Sequence, residues 1–136
     1  MLTQRCVSRP DQKSAQKKVE RWQKISVEAA KQCGRGILPP VSPVTDFSVA
    51  LRQAASESTI LFFYEGGGQS LQQCIDPSCK AYSIFIGPEG GFSEEEVQFA
   101  LDLGAKKATL GPRILRTETA PVAALTAIML TTGNMK

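Results

Sequence analysis

The stretch Leu110-Gly111-Pro112-Arg113-Ile114-Leu115-Arg116-Thr117-Glu118-Thr119-Ala120-Pro121 joins a short apolar run to the most apolar helical segment of the chain. Two guanidinium groups, a carboxylate and two hydroxyls fall between positions 113 and 119. A strand-to-helix turn needs glycine or proline, not this density of charge, so the polarity points to a site. A second segment, Ile84-Phe85-Ile86-Gly87-Pro88-Glu89-Gly90-Gly91-Phe92-Ser93, is built alike: apolar run, Gly-Pro turn, acid, helix start.

Working outward, Ala108 to Leu110 reads as a short strand and Ala120 to about Thr131 as a helix. Ser93-Glu94-Glu95-Glu96 is a capping box, with a hydroxyl for the first-turn N–H groups and a third acid that reaches back. The helix it opens ends near Leu103, at Gly104. Tyr82 to Ile86 and Thr59 to Tyr64 are continuous apolar runs, the pattern of strands covered on both faces. Gln69 to Lys80 is polar with a break at Pro77, and reads as a loop with at most a turn of helix. Thr45 or Asp46 caps a short helix through Ala55. Prolines 39, 40 and 43 keep Ile37 to Val44 extended. From Gln12, a helical stripe of Val19, Trp22, Ile25, Ser26, Ala29, Ala30 and Cys33 runs until Gly34 stops it. Leu2 to Val7 reads as a short strand or a lead-in, broken by Ser8-Arg9-Pro10-Asp11. Helices alternating with two-sided strands predict an α/β fold, an open parallel sheet with helices on both faces.

The composition, 136 residues with 42% hydrophobic and 21% charged, suits one domain, here residues 1–136. The net charge is +3, yet residues 1 to 35 hold nine Lys/Arg against three acids. That asymmetry fits either a polyanion along one face or a solvated helix. No histidine is present, which removes Ser-His-Asp and Cys-His chemistry. The four cysteines, Cys6, Cys33, Cys74 and Cys79, lack paired metal-ligand spacing; no metal is expected, and buried thiols in a reducing cytosol are the better reading. Arg5, Arg9 and Lys13 interrupt any signal-peptide core, and the run from Ala120 to Leu130 is too short to span a bilayer.

Ligands of open parallel sheets sit beyond the carboxyl ends of the strands. Three loops leave such ends: Tyr64 to Gly68, Gly87 to Phe92 and Gly111 to Thr119. Glycines 87, 90, 91 and 111 let backbone approach a flat ligand, or simply make tight turns. Neither a Gly-Lys-Ser/Thr phosphate loop nor Gly-x-Gly-x-x-Gly follows a strand, which disfavours nucleoside triphosphates and dinucleotides.

Ile86-Gly87-Pro88-Glu89-Gly90-Gly91-Phe92, followed by Leu110 to Ala120, resembles the two signature loops of the ribosomal RNA small subunit methyltransferase E family. Glu20-Arg21-Trp22-Gln23-Lys24-Ile25 and Glu28 to Arg35 are similar to that family's helix ahead of its knot. The resemblance runs from about Thr3 to the C-terminus. It implies a SPOUT-type domain with a C-terminal deep trefoil knot, which general topology rules would have argued against. It further implies S-adenosyl-L-methionine as cofactor, methylation of N3 of a uridine in 16S ribosomal RNA or the small ribosomal subunit, a cytoplasmic location, and a homodimer with shared active sites. Family members also carry an N-terminal barrel and an opening strand and helix; the chain is expected to lack these, starting near the second methyltransferase strand at Thr3-Gln4-Arg5-Cys6. Its sheet would then expose an apolar margin. A non-catalytic RNA- or cofactor-binding module, and a related SPOUT enzyme acting on transfer RNA, are the alternatives.

Under that resemblance Arg116 holds the imide anion that develops as N3 loses its proton, with Arg113 as alternate or phosphate anchor. Either arginine could instead merely pair with Glu118. Glu118 and Glu89 compete as base or as carboxylate facing the sulfonium, although an acid near a helix start is favourable without function. Gly87, Gly90, Gly91, Leu110, Gly111 and Leu115 are assigned to the cofactor by backbone contact and apolar cover, and Thr117 and Thr119 to its polar edges; Thr119 could equally be a plain cap. Tyr64 and Glu65 close the third loop. Trp22 suits core or dimer packing better than stacking on a base, and Lys13, Lys17, Lys18 and Lys24 are candidate phosphate contacts.

Overall fold

The computed structural model describes residues 1–6 and 9–135. The part of the opening strand expected at Val7, and the break at Ser8, lie outside them.

Four parallel strands form one sheet: β1 (Thr59–Phe63), β2 (Gln69–Ser70), β3 (Tyr82–Ile86) and β4 (Lys106–Thr109), in the order β2-β4-β1-β3. Among the described residues five helices accompany it: α1 (Gln12–Gln32), α2 (Phe47–Glu57), α3 (Leu71–Cys74), α4 (Glu94–Asp102) and α5 (Ala120–Thr131). The α/β reading holds. Its two-layer cover follows from the pleat, because successive residues of β1 point to opposite faces. Ile60 and Phe62 join Phe47, Leu51 and Ala54 of α2, Phe85, Phe92, and Val97 and Ala100 of α4 on one side. Leu61 joins Leu71, Cys74, Ile75, Ala108 and Ile128 of α5 on the other. The first core is aromatic, with the Phe62 and Phe92 rings 4.3 Å apart and Phe47 meeting Phe62, Phe85 and Phe92.

Several expectations need correction. The segment from Gln69 to Lys80 holds the single turn of helix allowed for it, α3, but also a strand that was not expected. Gln69 and Ser70 pair with Ala108 and Thr109 of β4, and Leu71, Cys74 and Ile75 are buried in the second core. Too short to show a period, this piece is held by the sheet and by the Ser70 N–H and hydroxyl, both donating to Gln73 Oε1 (3.1 and 3.0 Å). The strand Tyr82–Ile86 is not covered on both faces along its length: it lies at the sheet edge, and only Phe85 is buried. Of the four free cysteines only Cys74 is buried; Cys33 is exposed. Burial pushes the Cys74 thiol up, whereas the Thr59 hydroxyl 3.1 Å from Cys79 holds that thiol low.

Helix α1 forms as its period requires, capped by Asp11, whose carboxylate accepts from Ser14 N–H at 2.7 Å, and followed by Gly34 at φ +70°. Its stripe does not enter the core. Only Ala30 is buried, while Trp22 and Ile25 are 46% and 56% exposed. What holds α1 is the proline-rich segment: Gln23 Nε2 and Ser26 Oγ donate to the Pro39 carbonyl (3.2 and 2.8 Å), and Val41 N–H donates to Gln23 Oε1 (2.7 Å). The opening residues make a single parallel bridge, Leu2 to Asp46.

Candidate functional site

Parallel register decides where the loops meet. Phe63, the last residue of β1, pairs with Ile86, the last of β3, and with Ala108 near the end of β4. The loops after these three strands therefore leave one edge of the sheet side by side, and they enclose a cleft of about 760 Å³. That volume lies within the range of small-molecule and cofactor sites, about 300–1,000 Å³.

Of the residues singled out from the sequence, Gly87, Glu89, Gly91, Leu110, Gly111, Arg113, Leu115, Arg116, Thr117 and Glu118 line this cleft, as do Tyr64 and Glu65. Gly90 and Thr119 are not in the lining. Thr119 stands at the N-cap position of α5 without a side-chain capping bond. Gly90 packs against the N-terminal segment instead: a Cβ there would come within 2.8 Å of the Arg5 carbonyl oxygen, so the close approach of two backbones requires glycine. Sequence reasoning passed over Phe63, Pro88, Pro112 and Ile114, which supply much of the apolar wall. These side chains carry no chemistry of their own, and only the strand register brings them together.

The loop of residues 87–92 is anchored from below. Phe92 is 1% exposed, its ring under Gly87, where an added Cβ would be 3.2 Å from it. The expected capping box is formed, with Ser93 N–H donating to Glu96 Oε2 (2.9 Å) and Glu96 N–H donating to Ser93 Oγ (3.2 Å). Glu96 does more than cap. It is buried, and its other oxygen accepts from Gln4 N–H at 2.8 Å, tying the opening residues to the first turn of α4, 92 positions away in sequence. The Arg5 guanidinium reaches the Gly90 carbonyl at 3.5 Å. No feature of the opening residues announced this role.

The loop after β4 is open by contrast. Residues 111 to 116 are all exposed, Ile114 by 78%. Its internal bonds are local: Thr109 Oγ1 donates to the Gly111 carbonyl (3.0 Å), and the N–H groups of Thr119 and Ala120 donate to the Arg116 carbonyl (2.9 Å each). Gly111 holds φ +119° with open space where a Cβ would stand. Arg116 and Glu118 approach to 4.0 Å with side chains 86% and 73% exposed, a contact that contributes little by itself. Arg116 and Glu89 thus share one cavity, with two glycine-bearing bends on either side of the end of β1.

A family model for an RNA methyltransferase domain matches residues 1–129. A Bacillus subtilis protein named ribosomal RNA small subunit methyltransferase E is 39% identical over 97% of this chain and 54% of its own length. The protein of that name from Buchnera aphidicola is 36% identical, over 88% of this chain and 47% of its own. Among solved structures, the ribosomal RNA small subunit methyltransferase E of Neisseria gonorrhoeae bound to S-adenosyl methionine superposes with a TM-score of 0.84 at 41% identity, over 94% of this chain and 52% of that one. A Legionella pneumophila protein in complex with bound SAM superposes with a TM-score of 0.87 at 31% identity, over 95% and 52%. The chain spans about half the length of the curated relatives it matches. With the parallel sheet, the shared cleft and the two loop motifs in place, this chain belongs to the RNA methyltransferase domain family, alongside the ribosomal RNA small subunit methyltransferases E.

Proposed function

We propose that residues 1–136 act as one SPOUT methyltransferase unit that binds S-adenosyl-L-methionine and serves methylation of N3 of a uridine in 16S ribosomal RNA. The observation that carries this reading is the convergence of two loops, distant in sequence, on one cleft at the carboxyl edge of a parallel sheet. The cleft fits the cofactor. Its volume suffices, Leu110, Ile114, Leu115 and Pro88 give a flat purine apolar cover, and Gly111 leaves backbone open toward the space. Gly87, Gly91, Leu110, Gly111, Leu115 and Thr117 would hold it, while Gly90 and Thr119 support the backbone around it.

The cofactor supplies an electrophilic methyl group on a sulfonium, and the transfer needs no metal. The chain's own work is to position the acceptor and to manage one proton. Arg116 is the cation that stabilises the imide anion as N3 is deprotonated, with Arg113 as the alternate or an anchor for RNA phosphate. Without histidine in the chain, a carboxylate or water takes the proton; Glu118 and Glu89, both in the cleft, are the candidate acceptors.

Two finer readings belong with this proposal. The first is the C-terminal trefoil knot: α5 follows β4 in sequence yet packs against β3 and α3, so the terminal segment returns across the sheet. The second is a homodimer. Helix α5 is apolar all round; Ala120, Ala124 and Ile128 are buried against the sheet, while Val122, Leu125 and Leu130 are more than half exposed, an apolar face that a second copy would cover. The exposed lysines of α1 would meet phosphate groups, and the work would take place in the cytoplasm, where small ribosomal subunits are found.

Calorimetric titration of the folded chain with S-adenosylhomocysteine tests the cofactor, and heat of binding at one site per chain is expected. A silent titration removes the reading. Methyl transfer to small-subunit particles, with transfer RNA as the competing substrate, then tests the acceptor: label on transfer RNA alone would move the chain to the related activity.

A further inference from the structure

Glu65 is the second residue after β1, the strand flanked on both sides, so it stands between the two loops that wall the cleft. Its carboxylate lies against the inner side of the 87–92 loop. A Cβ at Gly91 would come within 2.6 Å of Oε1 and 3.3 Å of Oε2. Gly91 itself is buried and has φ +68°, so only glycine leaves the carboxylate room there. The ion pairs among the described residues are Lys31–Glu28 and Arg116–Glu118, and neither engages Glu65. Of the three carboxylates of the cleft, Glu118 lies 4.0 Å from Arg116, while Glu65 and Glu89 are both exposed on turns and in neither ion pair; Glu65 is the one set against Gly91. Glu65 lines the cleft together with the apolar side chains of Phe63, Ile86 and Phe92.

Resting on the cofactor reading above, we propose that Glu65 is a specificity-determining residue for the positively charged methionine end of the cofactor. At neutral pH the adenosine part is uncharged. The methionine part carries an ammonium group and a carboxylate, and in the methyl-loaded form a sulfonium as well; the ammonium and the sulfonium are the groups a carboxylate attracts. A carboxylate without a counter-ion attracts the ammonium and sulfonium and gives little to the nucleoside, and a hydrogen bond to a charged group is the stronger kind. Glu65 thereby sets which way round the ligand lies between the two loops, with its nucleoside left to the apolar wall.

Calorimetry on the full chain and its Glu65→Gln variant tests this with three ligands: S-adenosylmethionine, S-adenosylhomocysteine and 5′-methylthioadenosine, which lacks both positive charges. Glu65→Gln keeps shape and volume at an exposed position, and an unchanged melting curve is its folding control. The variant is expected to bind the first two about tenfold more weakly and 5′-methylthioadenosine as the parent chain does. An equal loss for all three would assign Glu65 to the nucleoside and overturn the proposal, as would no loss for any. Failure of the parent chain to bind any of the three is a different result: it removes the cofactor reading, and this inference with it, before the variant is compared.

Discussion

The two loops that wall the cleft are made in opposite ways. The loop of residues 87–92 ends on a ring at the centre of the aromatic core, is capped by a buried carboxylate and is propped from outside by residues 4 and 5. The loop of residues 111–116 is exposed throughout and makes only local bonds. One is a fixed jaw whose geometry is set by folding. The other is free to take its final shape on a ligand, and it carries both arginines. Damage to the first should therefore register as lost stability, and damage to the second as lost function in a chain that still melts normally.

The largest effect tests the fixed jaw. Phe92→Ala removes a fully buried ring from between Phe47 and Phe62 and should destabilise the chain by about 3–5 kcal/mol, read by urea unfolding. A loss below about 1 kcal/mol would mean that the loop is not core-anchored. Next comes the open jaw. Arg116→Ala should lower methyl transfer by about 10²- to 10³-fold with stability within about 0.5 kcal/mol of the parent, since its side chain is 86% exposed. Unchanged transfer would dismiss Arg116; a large drop in melting temperature would erase the contrast between the loops.

Glu96→Gln is a smaller and sharper probe. The glutamate offers one oxygen to Gln4 N–H and the other to Ser93 N–H, whereas an amide must turn its NH₂ toward one of those donors. A loss of about 1–3 kcal/mol is expected from leaving a buried donor unmet. An unchanged unfolding midpoint would show that the N-terminal tie contributes nothing. Smallest of all is the dynamic difference. Without ligand, amides of residues 113–115 should exchange with solvent faster than those of Gly91 and Val97, which are bonded to the Pro88 and Ser93 carbonyls. Saturating S-adenosylhomocysteine should slow the first group more than the second; the reverse order would invert the assignment of jaws.

How far the sequence revealed this depends on the range of the interaction. Thr59 to Tyr64 declared a two-sided strand because burial on both faces leaves no polar alternation, and Ser93 with Glu96 declared a helix start because a capping box closes within four residues. The two loops were legible for the same reason, each carrying its glycines and charges in one contiguous run. Long-range placements were not. The stripe of α1 specified a helix but not a partner, and Trp22 is half exposed within the chain, not in its core. The two-residue strand at Gln69–Ser70 exists only because β4 lies beside it, and no local pattern of that length can report a neighbour. Glu65 looked like the end of a loop until the fold of Gly91 gave its carboxylate an address.

The buried grip of Glu96 on Gln4 makes the start of the chain a lever on the cleft. Polypeptide joined ahead of Met1, whether a neighbouring domain, a partner's arm or a laboratory tag, would load first the Leu2 bridge to Asp46 and then the carboxylate that seats the fixed jaw. Tension or relief at that end would be transmitted to ligand grip without touching a single residue of the pocket.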